Sequence, residues 1–257
     1  MLEVIILAAG QGSRMQSSTP KVLHPLAGRP LVAHVLQTAR RLNADRIHVV
    51  VGYGAEAVQS AVSAADVQCH LQVEQLGTGH AVKQAISSCQ PTSTVLVLFG
   101  DVPLITEKAL RSVLAKAETG VAMLSARLPN PAGYGRLVRS AAGEFVAVVE
   151  ERDATPEQRA LQEINTGVLA AKAERLVGWL DRVNNQNAQA EYYLPDVLGL
   201  ASEDGMRVEV VCSEDDFDTQ GVNTPQQLEQ LERLHQGTLA DQLMNGGVRV
   251  KIGRAHV

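Results

Sequence analysis

The sequence predicts an α/β fold: a mostly parallel, mixed sheet with helices on both faces, followed by a C-terminal helix. Three observations carry that prediction. Short apolar runs alternate with helix-period segments through the first half of the chain, the pattern of right-handed βαβ crossovers. The first run, Val4-Ile5-Ile6-Leu7, passes directly into Ala8-Ala9-Gly10-Gln11-Gly12-Ser13-Arg14-Met15, a buried strand feeding a glycine loop. Gly10, Gln72 and Asp101 each fall at or just past the end of a predicted strand, where ligands of such sheets bind, so they point to one shared crevice.

Strands are expected over residues 4–7, 47–51, 69–73, 95–99 and 121–126, short and mostly apolar runs. Helices are expected between them, over 31–42, 55–64, 79–88 and 107–117. The second half is less regular. Residues 136–139 and 144–149 read as a hairpin around Ala141-Ala142-Gly143, and 164–170 and 208–211 as further strands. The stretch 184–196, rich in amides, acids and tyrosines, reads as a binding loop. From Pro225 a helix carries Leu228, Leu231 and Leu234 along one face and runs past Gly237 to Leu243. The boundary between the halves, near 125–131, is soft. Residues 1–226 are therefore taken as one catalytic domain, 227–247 as a linker helix and 248–257 as a tail of unassigned origin.

Composition narrows the class. A chain of 257 residues buries an ample core, and its 45% apolar and 20% charged content is that of a soluble globular protein. A net charge of −5 argues against a nucleic-acid surface. Cys69, Cys89 and Cys212 are odd in number and lack metal-type spacing, which suits reduced thiols in the cytoplasm. No apolar run approaches membrane-spanning length, and the apolar start carries Glu3 without a basic leader. The expectation is a cytoplasmic protein with neither a membrane nor a nucleic acid as partner.

The glycine loop carries the chemistry. A dinucleotide fingerprint wants a third glycine where Met15 stands, and a phosphate loop of the Gly-Lys-Ser/Thr type is missing. What remains is a strand, two glycines that let backbone N–H groups face an anion, and the cations Arg14 and Lys21. That combination suits a nucleoside triphosphate. Asp101, in Phe99-Gly100-Asp101-Val102-Pro103, is placed to hold Mg²⁺ between phosphate oxygens, since Mg²⁺ keeps waters and needs few protein ligands. Asn223 is the candidate second ligand, although Asn223-Thr224-Pro225 would serve equally as a helix N-cap.

Eight motifs, LAAGQGSRMQSSTPKVLHPLAG, EQLGTGHA, FGDVPL, PAGYGR, VVEERDAT, EINTG, NAQAEYYLPD and GVN, follow one another in this order. Over residues 2–245 the chain resembles the pyrophosphorylase (uridylyltransferase) half of the bacterial bifunctional enzymes that make UDP-N-acetylglucosamine. The resemblance implies a Rossmann-like nucleotidyltransferase fold and a diphosphorylase activity. UTP and N-acetylglucosamine 1-phosphate would give UDP-N-acetylglucosamine and pyrophosphate, with Mg²⁺, for peptidoglycan and lipopolysaccharide precursors. It implies that Leu7, Ala8, Ala9, Gly10 and Gly12 line the nucleotide with Phe99 and Gly100, while Arg14 and Lys21 hold phosphates. Gln72, Gly77 and Thr78 would read the uracil edge, an amide being able to donate and accept at once. Gly135, Glu150, Asn165 and Asn223 would hold the amino sugar, and Asp101 and Asn223 the metal. Arg14, Lys21 and Asp101 would be catalytic.

Two departures stand out. Phe99 occupies a position where the family carries tyrosine, and Ala190 one where it carries glycine. The family also continues into hexapeptide repeats of a left-handed β-helix, the acetyltransferase half, which do not follow here. Acetyl transfer and the trimer built by that half are therefore expected to be absent, leaving a monomer or weak oligomer. His24, His34, His80 and His235 receive no catalytic role, because the attacking phosphate is already ionised. Tyr134, Glu191, Tyr192 and Tyr193 are expected to shape the sugar pocket. The rivals are sister nucleotidyltransferases of other bases and sugars, a UDP-sugar sensor, and a glycosyltransferase, which would carry an Asp-x-Asp pair that Phe99-Gly100-Asp101 does not supply.

Overall fold

The apolar run at the start of the chain forms β1 (Leu2–Ala8), buried on both faces in the middle of a mixed sheet. The structure, a computed structural model, describes residues 1–214 and 217–250. After β1 come the two-residue strands β2 (Pro25–Leu26) and β3 (Arg29–Pro30), then α1 (Leu31–Arg41), β4 (Arg46–Val51), α2 (Ala55–Val62) and β5 (Val67–Leu71). Next are α3 (Thr78–Ile86), β6 (Thr94–Phe99), α4 (Glu107–Lys116) and β7 (Val121–Arg127). The second half adds the hairpin β8 (Arg136–Arg139) and β9 (Phe145–Val149), the single turn α5 (Pro156–Arg159) and β10 (Glu163–Lys172). It ends with α6 (Ala173–Arg182), α7 (Asp196–Glu203), β11 (Val208–Cys212) and α8 (Pro225–Asn245).

The main sheet has the order β11-β7-β10-β6-β1-β4-β5, with the β8–β9 hairpin attached to β10. β1 pairs in parallel with β4 and β6, β5 with β4, and β11 with β7. β10 runs antiparallel to β6, β7 and β8, which makes the sheet mixed as expected. The period-2 alternation of β1 divides its side chains between two cores. Val4, Ile6 and Ala8 pack with α1, α2 and α4, while Ile5, Leu7 and Ala9 pack with α3, α6 and α7. Ile5 and Ile6 are fully buried, each contributing about 1.5–3 kcal/mol of transfer free energy.

Differences from the expected elements have identifiable causes. β5 covers 67–71 rather than 69–73, because the chain leaves the ladder at Gln72, whose N–H makes the last bond to the Val51 carbonyl (2.7 Å). Helices α6 and α7 were not expected. Each carries an internal glycine, Gly178 or Gly199, that weakens helix propensity. Packing overrides it through Leu176, Trp179 and Leu180 in one, and Val197, Leu198 and Ala201 in the other.

Helix α8 begins with a capping box in which Thr224 and Gln227 satisfy each other's backbone N–H, with Pro225 at the first position. Leu228, Leu231 and Leu234 dock on Met15, Leu26, Leu31 and Val222, so the helix props the glycine loop from behind. Leu239, Leu243 and Met244, further along, are exposed. Of the tail set apart at 248–257, residues 251–257 lie outside the described residues. Among the described residues no helix is long and apolar enough to cross a membrane.

One buried ionic group ties the opening of β1 in place. Glu3 is wholly buried, and its carboxylate accepts from His48 Nε2 (2.9 Å) and the Gln90 N–H (2.7 Å). Burial by itself would raise the Glu3 pKa, but hydrogen bonds from His48, Gln90 and Ser93 outweigh it and hold the carboxyl below its usual range. Glu3→Ala should cost about 3 kcal/mol, because it strands a buried imidazole and an amide without their acceptor. The check is a urea titration, in which the midpoint falls while the slope is unchanged.

Candidate active site

The carboxyl ends of β1 and β6 open into a cavity of about 260 Å³ lined by Leu7, Ala8, Ala9, Gly10, Lys21, Gln72, Gly77, Thr78, Phe99 and Asp101. Gly10, Gln72 and Asp101 thus do share one crevice. Gly100 continues the β1–β6 pairing, its N–H donating to the Leu7 carbonyl (2.9 Å), and so levels the floor under this cavity. Gly12 and Arg14 lie on the rim turn and line neither this cavity nor its neighbour, and the Arg14 side chain is exposed.

Gln72 is 3% exposed. Its Nε2 donates to the Gly77 carbonyl (3.2 Å) and to His80 Nδ1 (3.0 Å), so its amide is held in one orientation. His80 thus fixes the Gln72 amide, and its other ring nitrogen meets Gln84 Nε2 (3.3 Å). Gln75 Nε2 donates to the Gln72 carbonyl (3.1 Å), and Gln75 also lines the cavity. Gly77 has φ +106 and ψ 174, and a Cβ there would lie 2.6 Å from the Tyr192 carbonyl oxygen. The 191–194 segment is stitched onto this turn: Gly79 N–H donates to the Tyr192 carbonyl, Tyr192 N–H to that of Leu76, and Leu194 N–H to Thr78 Oγ1 (2.8, 2.8 and 3.0 Å).

A second cavity of about 210 Å³ abuts the first and shares Thr78, Phe99 and Asp101 with it. Its other walls include Tyr134, Gly135, Glu150, Asn165, Gly167, Gly221 and Asn223. Asn165 sits where the β10–β7 register slips between Asn165 and Leu169, a bulge that re-aims its side chain. Its Oδ1 accepts from Gly167 N–H (2.9 Å) and its N–H donates to the Gly135 carbonyl (2.8 Å). Arg136, 2% exposed, anchors this wall from behind by reaching the Tyr134 and Arg159 carbonyls and Glu151 (2.7 Å). Tyr192 and Tyr193 line neither cavity; Tyr192 lies beside the His80 ring, and the Tyr193 hydroxyl meets Gln189 and Asp153. Glu191 lines the first cavity rather than the second.

Where the cavities meet, the Lys21 ammonium bridges the Asp101 carboxylate and Asn223 Oδ1, the latter at 3.0 Å. Thr224 caps α8, so the Asn223 side chain is left to face Asp101. Two hard oxygen donors thus converge on one cationic point, a donor set that fits a divalent cation with few protein ligands. Glu150, on the wall of the second cavity, lies near other carboxylates. Burial, reinforced by Asp196, Asp153 and Glu191 and opposed by Arg136, pushes the Glu150 carboxyl up to about 7. Burial, with Asp153, pushes Asp196 to about 6.

A model of the MobA-like NTP transferase domain matches residues 4–175, two thirds of the sequence. The chain belongs to that family. It is 50% identical over 250 residues to the bifunctional protein GlmU of Paraburkholderia phymatum, and 52% identical over 248 residues to that of Burkholderia ambifaria. These alignments cover 97% and 96% of this chain, and the chain spans 55% of the length of each relative. A solved structure of a proposed glucose-1-phosphate thymidylyltransferase from Bacillus anthracis, in complex with sucrose, superposes with a TM-score of 0.73. It is 16% identical and the match covers 91% of this chain and 95% of that one, a likeness of fold. The matched segment includes β8, β9 and β10, whereas α6, most of whose residues lie beyond it, and α7, β11 and α8 follow it.

A larger groove of about 570 Å³ between α4 and β11, with Lys108, Leu124 and Phe217 in its walls, contains none of the candidate site residues that the sequence singled out. The contributors that sequence reasoning missed are Gln75, Arg136, Thr219 and Gly221. Gln75 and Arg136 stood inside quoted motifs, but neither spacing nor residue type marked them as structural anchors.

Two outcomes are expected of this geometry. Between pH 4.5 and about 7 the folded protein holds a Glu150 proton that the unfolded chain releases, so rising pH lowers stability across that window. Glu150→Gln should flatten the fall in Tm there, read by thermal melts at successive pH values. Gly77→Ala should cost about 1–3 kcal/mol through backbone strain, because that region of φ/ψ admits glycine almost alone. Denaturant unfolding measures the loss.

Proposed function

We propose that this protein is an N-acetylglucosamine-1-phosphate uridylyltransferase, which turns UTP and N-acetyl-α-D-glucosamine 1-phosphate into UDP-N-acetylglucosamine and pyrophosphate. The observation that carries the reading is the pair of cavities meeting at Thr78, Phe99 and Asp101, one walled by the glycine loop and Gln72, the other by Glu150 and Asn165. The eight ordered motifs, and the half-identity to bifunctional GlmU proteins, support uridine and N-acetylglucosamine over other pairs. The same reading assigns residues 1–226 to catalysis, in the cytoplasm, at the supply of cell-wall precursors.

The chemistry follows from charge and position. A phosphate oxygen of the sugar phosphate attacks the α-phosphorus of UTP, the bond to the β-phosphate oxygen breaks, and pyrophosphate leaves. No base is needed, since the attacking phosphate is ionised at neutral pH. Catalysis is then positioning plus stabilisation of charge on the transferring group. Backbone N–H groups of the glycine loop and the Lys21 ammonium would hold the phosphates, with Arg14 on the rim for the departing pyrophosphate. Gln72, its Nε2 engaged by Gly77 and His80, would present its remaining capacity and the neighbouring Thr78 to the uracil edge. Gly135, Glu150 and Asn165 would orient the amino sugar, with Arg136 keeping their wall in place. Asp101 and Asn223 would hold Mg²⁺, which when bound supplies positive charge to the phosphate oxygens of both substrates.

The test mixes protein, UTP, N-acetylglucosamine 1-phosphate and Mg²⁺ and follows pyrophosphate, with glucose 1-phosphate and other triphosphates as controls. Release that needs UTP, the acetylated sugar and metal is the expected result, and Asp101→Ala should lower turnover about 10²–10³-fold with the fold intact. Tight UDP-sugar binding with no release from any pair would replace the enzyme by a sensor.

A further inference from the structure

The Lys21 ammonium stands where the two proposed metal-holding oxygens converge. One cation therefore already fills the seat of another. Lys21 and Asp101 are each only 15% exposed, so water screens their attraction poorly. An ammonium in contact with Asp101 cancels the charge that would draw a divalent ion to that carboxylate.

The backbone beneath Lys21 is clamped on two sides. Lys21 Cβ lies so close to Gly12 that a Cβ on that glycine would come within 2.6 Å of it. The Pro20 ring lies against Gly54, where an added Cβ would approach to 2.4 Å. Movement is left to the four-carbon stem, which also lines the nucleotide cavity beside Gly10. The same ammonium can turn from the Asp101 end of that cavity toward an anion on the glycine loop.

We propose that Lys21 is a place-holding cation: it occupies the seat between Asp101 and Asn223 in the substrate-free protein and yields it to a divalent ion when a triphosphate draws the ammonium away. The proposal rests on the uridylyltransferase reading for the identity of the triphosphate, whereas the exchange of cations is a property of three side chains. Metal binding to the free protein is then weak and coupled to nucleotide, and by linkage each tightens the other. Lys21 sets the order of assembly as well as contacting phosphate.

The test titrates Mn²⁺ into substrate-free protein and reads unbound Mn²⁺ by electron paramagnetic resonance. Lys21→Met should bind Mn²⁺ about tenfold or more tightly than wild type, a gain of about 1.4 kcal/mol. Lys21→Gln supplies a second variant, and circular dichroism melts show that each is folded. Adding Asp101→Asn to either background should abolish the gain. Equal Mn²⁺ affinity in wild type and the folded Lys21 variants would overturn the proposal, as would tight binding that survives Asp101→Asn. The pyrophosphate assay is independent: its failure beside the expected Mn²⁺ result would remove the uridylyltransferase reading and leave the cation exchange standing.

Discussion

Burial of β1 on both faces is the constraint from which the site follows. A strand covered on both sides is apolar except where a buried polar group is fully paired, as Glu3 is, and it must end abruptly where polar chemistry begins. In this chain the change comes within three residues, from Leu7 to Gly10. Because β1 is flanked in parallel by β4 and β6, the chain segments that leave β1 and β6 emerge on the same edge of the sheet. Gly10 and Asp101 come together there without any direct attraction between them. The polar anchor at the other end, Glu3 held by His48 and Gln90, keeps that register from slipping.

The parallel half supplies only one side of the crevice. The other side is carried by segments more than a hundred residues away, and specific contacts bring them in. The 191–194 segment is laid on the Gly77–Gly79 turn by three hydrogen bonds. Asn165 sits at a register shift in β10, the strand that runs antiparallel to β6, β7 and β8. Asn223 meets the Lys21 ammonium beside Asp101 while Thr224, one residue on, caps α8, and the Val222 N–H is held by the Asp101 carbonyl (2.9 Å). The same helix packs its leucines behind Met15, so the glycine-loop side and the Asp101–Asn223 side of the crevice share one support.

The two departures from the family pattern take on physical meaning in this frame. Phe99 lines both cavities and offers a ring face in place of a hydroxyl, with its edge against Gly167. Ala190 has φ +53, the left-handed conformation that glycine adopts freely and that costs an L-residue about 1–2 kcal/mol. The loop before Glu191 thus keeps the backbone of a glycine while carrying a methyl group. The strain is local, since Asn187 still closes the turn by accepting from Ala190 N–H (3.1 Å).

Much of this was legible in the chain itself. Apolar runs and turn residues marked the parallel strands and their helices, and the motifs held most of the polar residues that line both cavities. Such signals are local: period, glycine, charge and order along the chain. What they left open was decided by contacts between distant segments. Gly178 and Gly199 hid α6 and α7, whose stability comes from packing on the sheet rather than from propensity. Which residue caps α8 was decided by Thr224 rather than Asn223, and the orientation of Gln72 depended on His80. The seat shared by Lys21, Asp101 and Asn223 spans 202 positions of sequence. No spacing rule encodes a meeting of three charges and dipoles across that distance. The sequence by itself determined the fold class and the chemistry available, while the tertiary structure alone decided which of those groups touch, because burial and register set distances that composition and order do not contain.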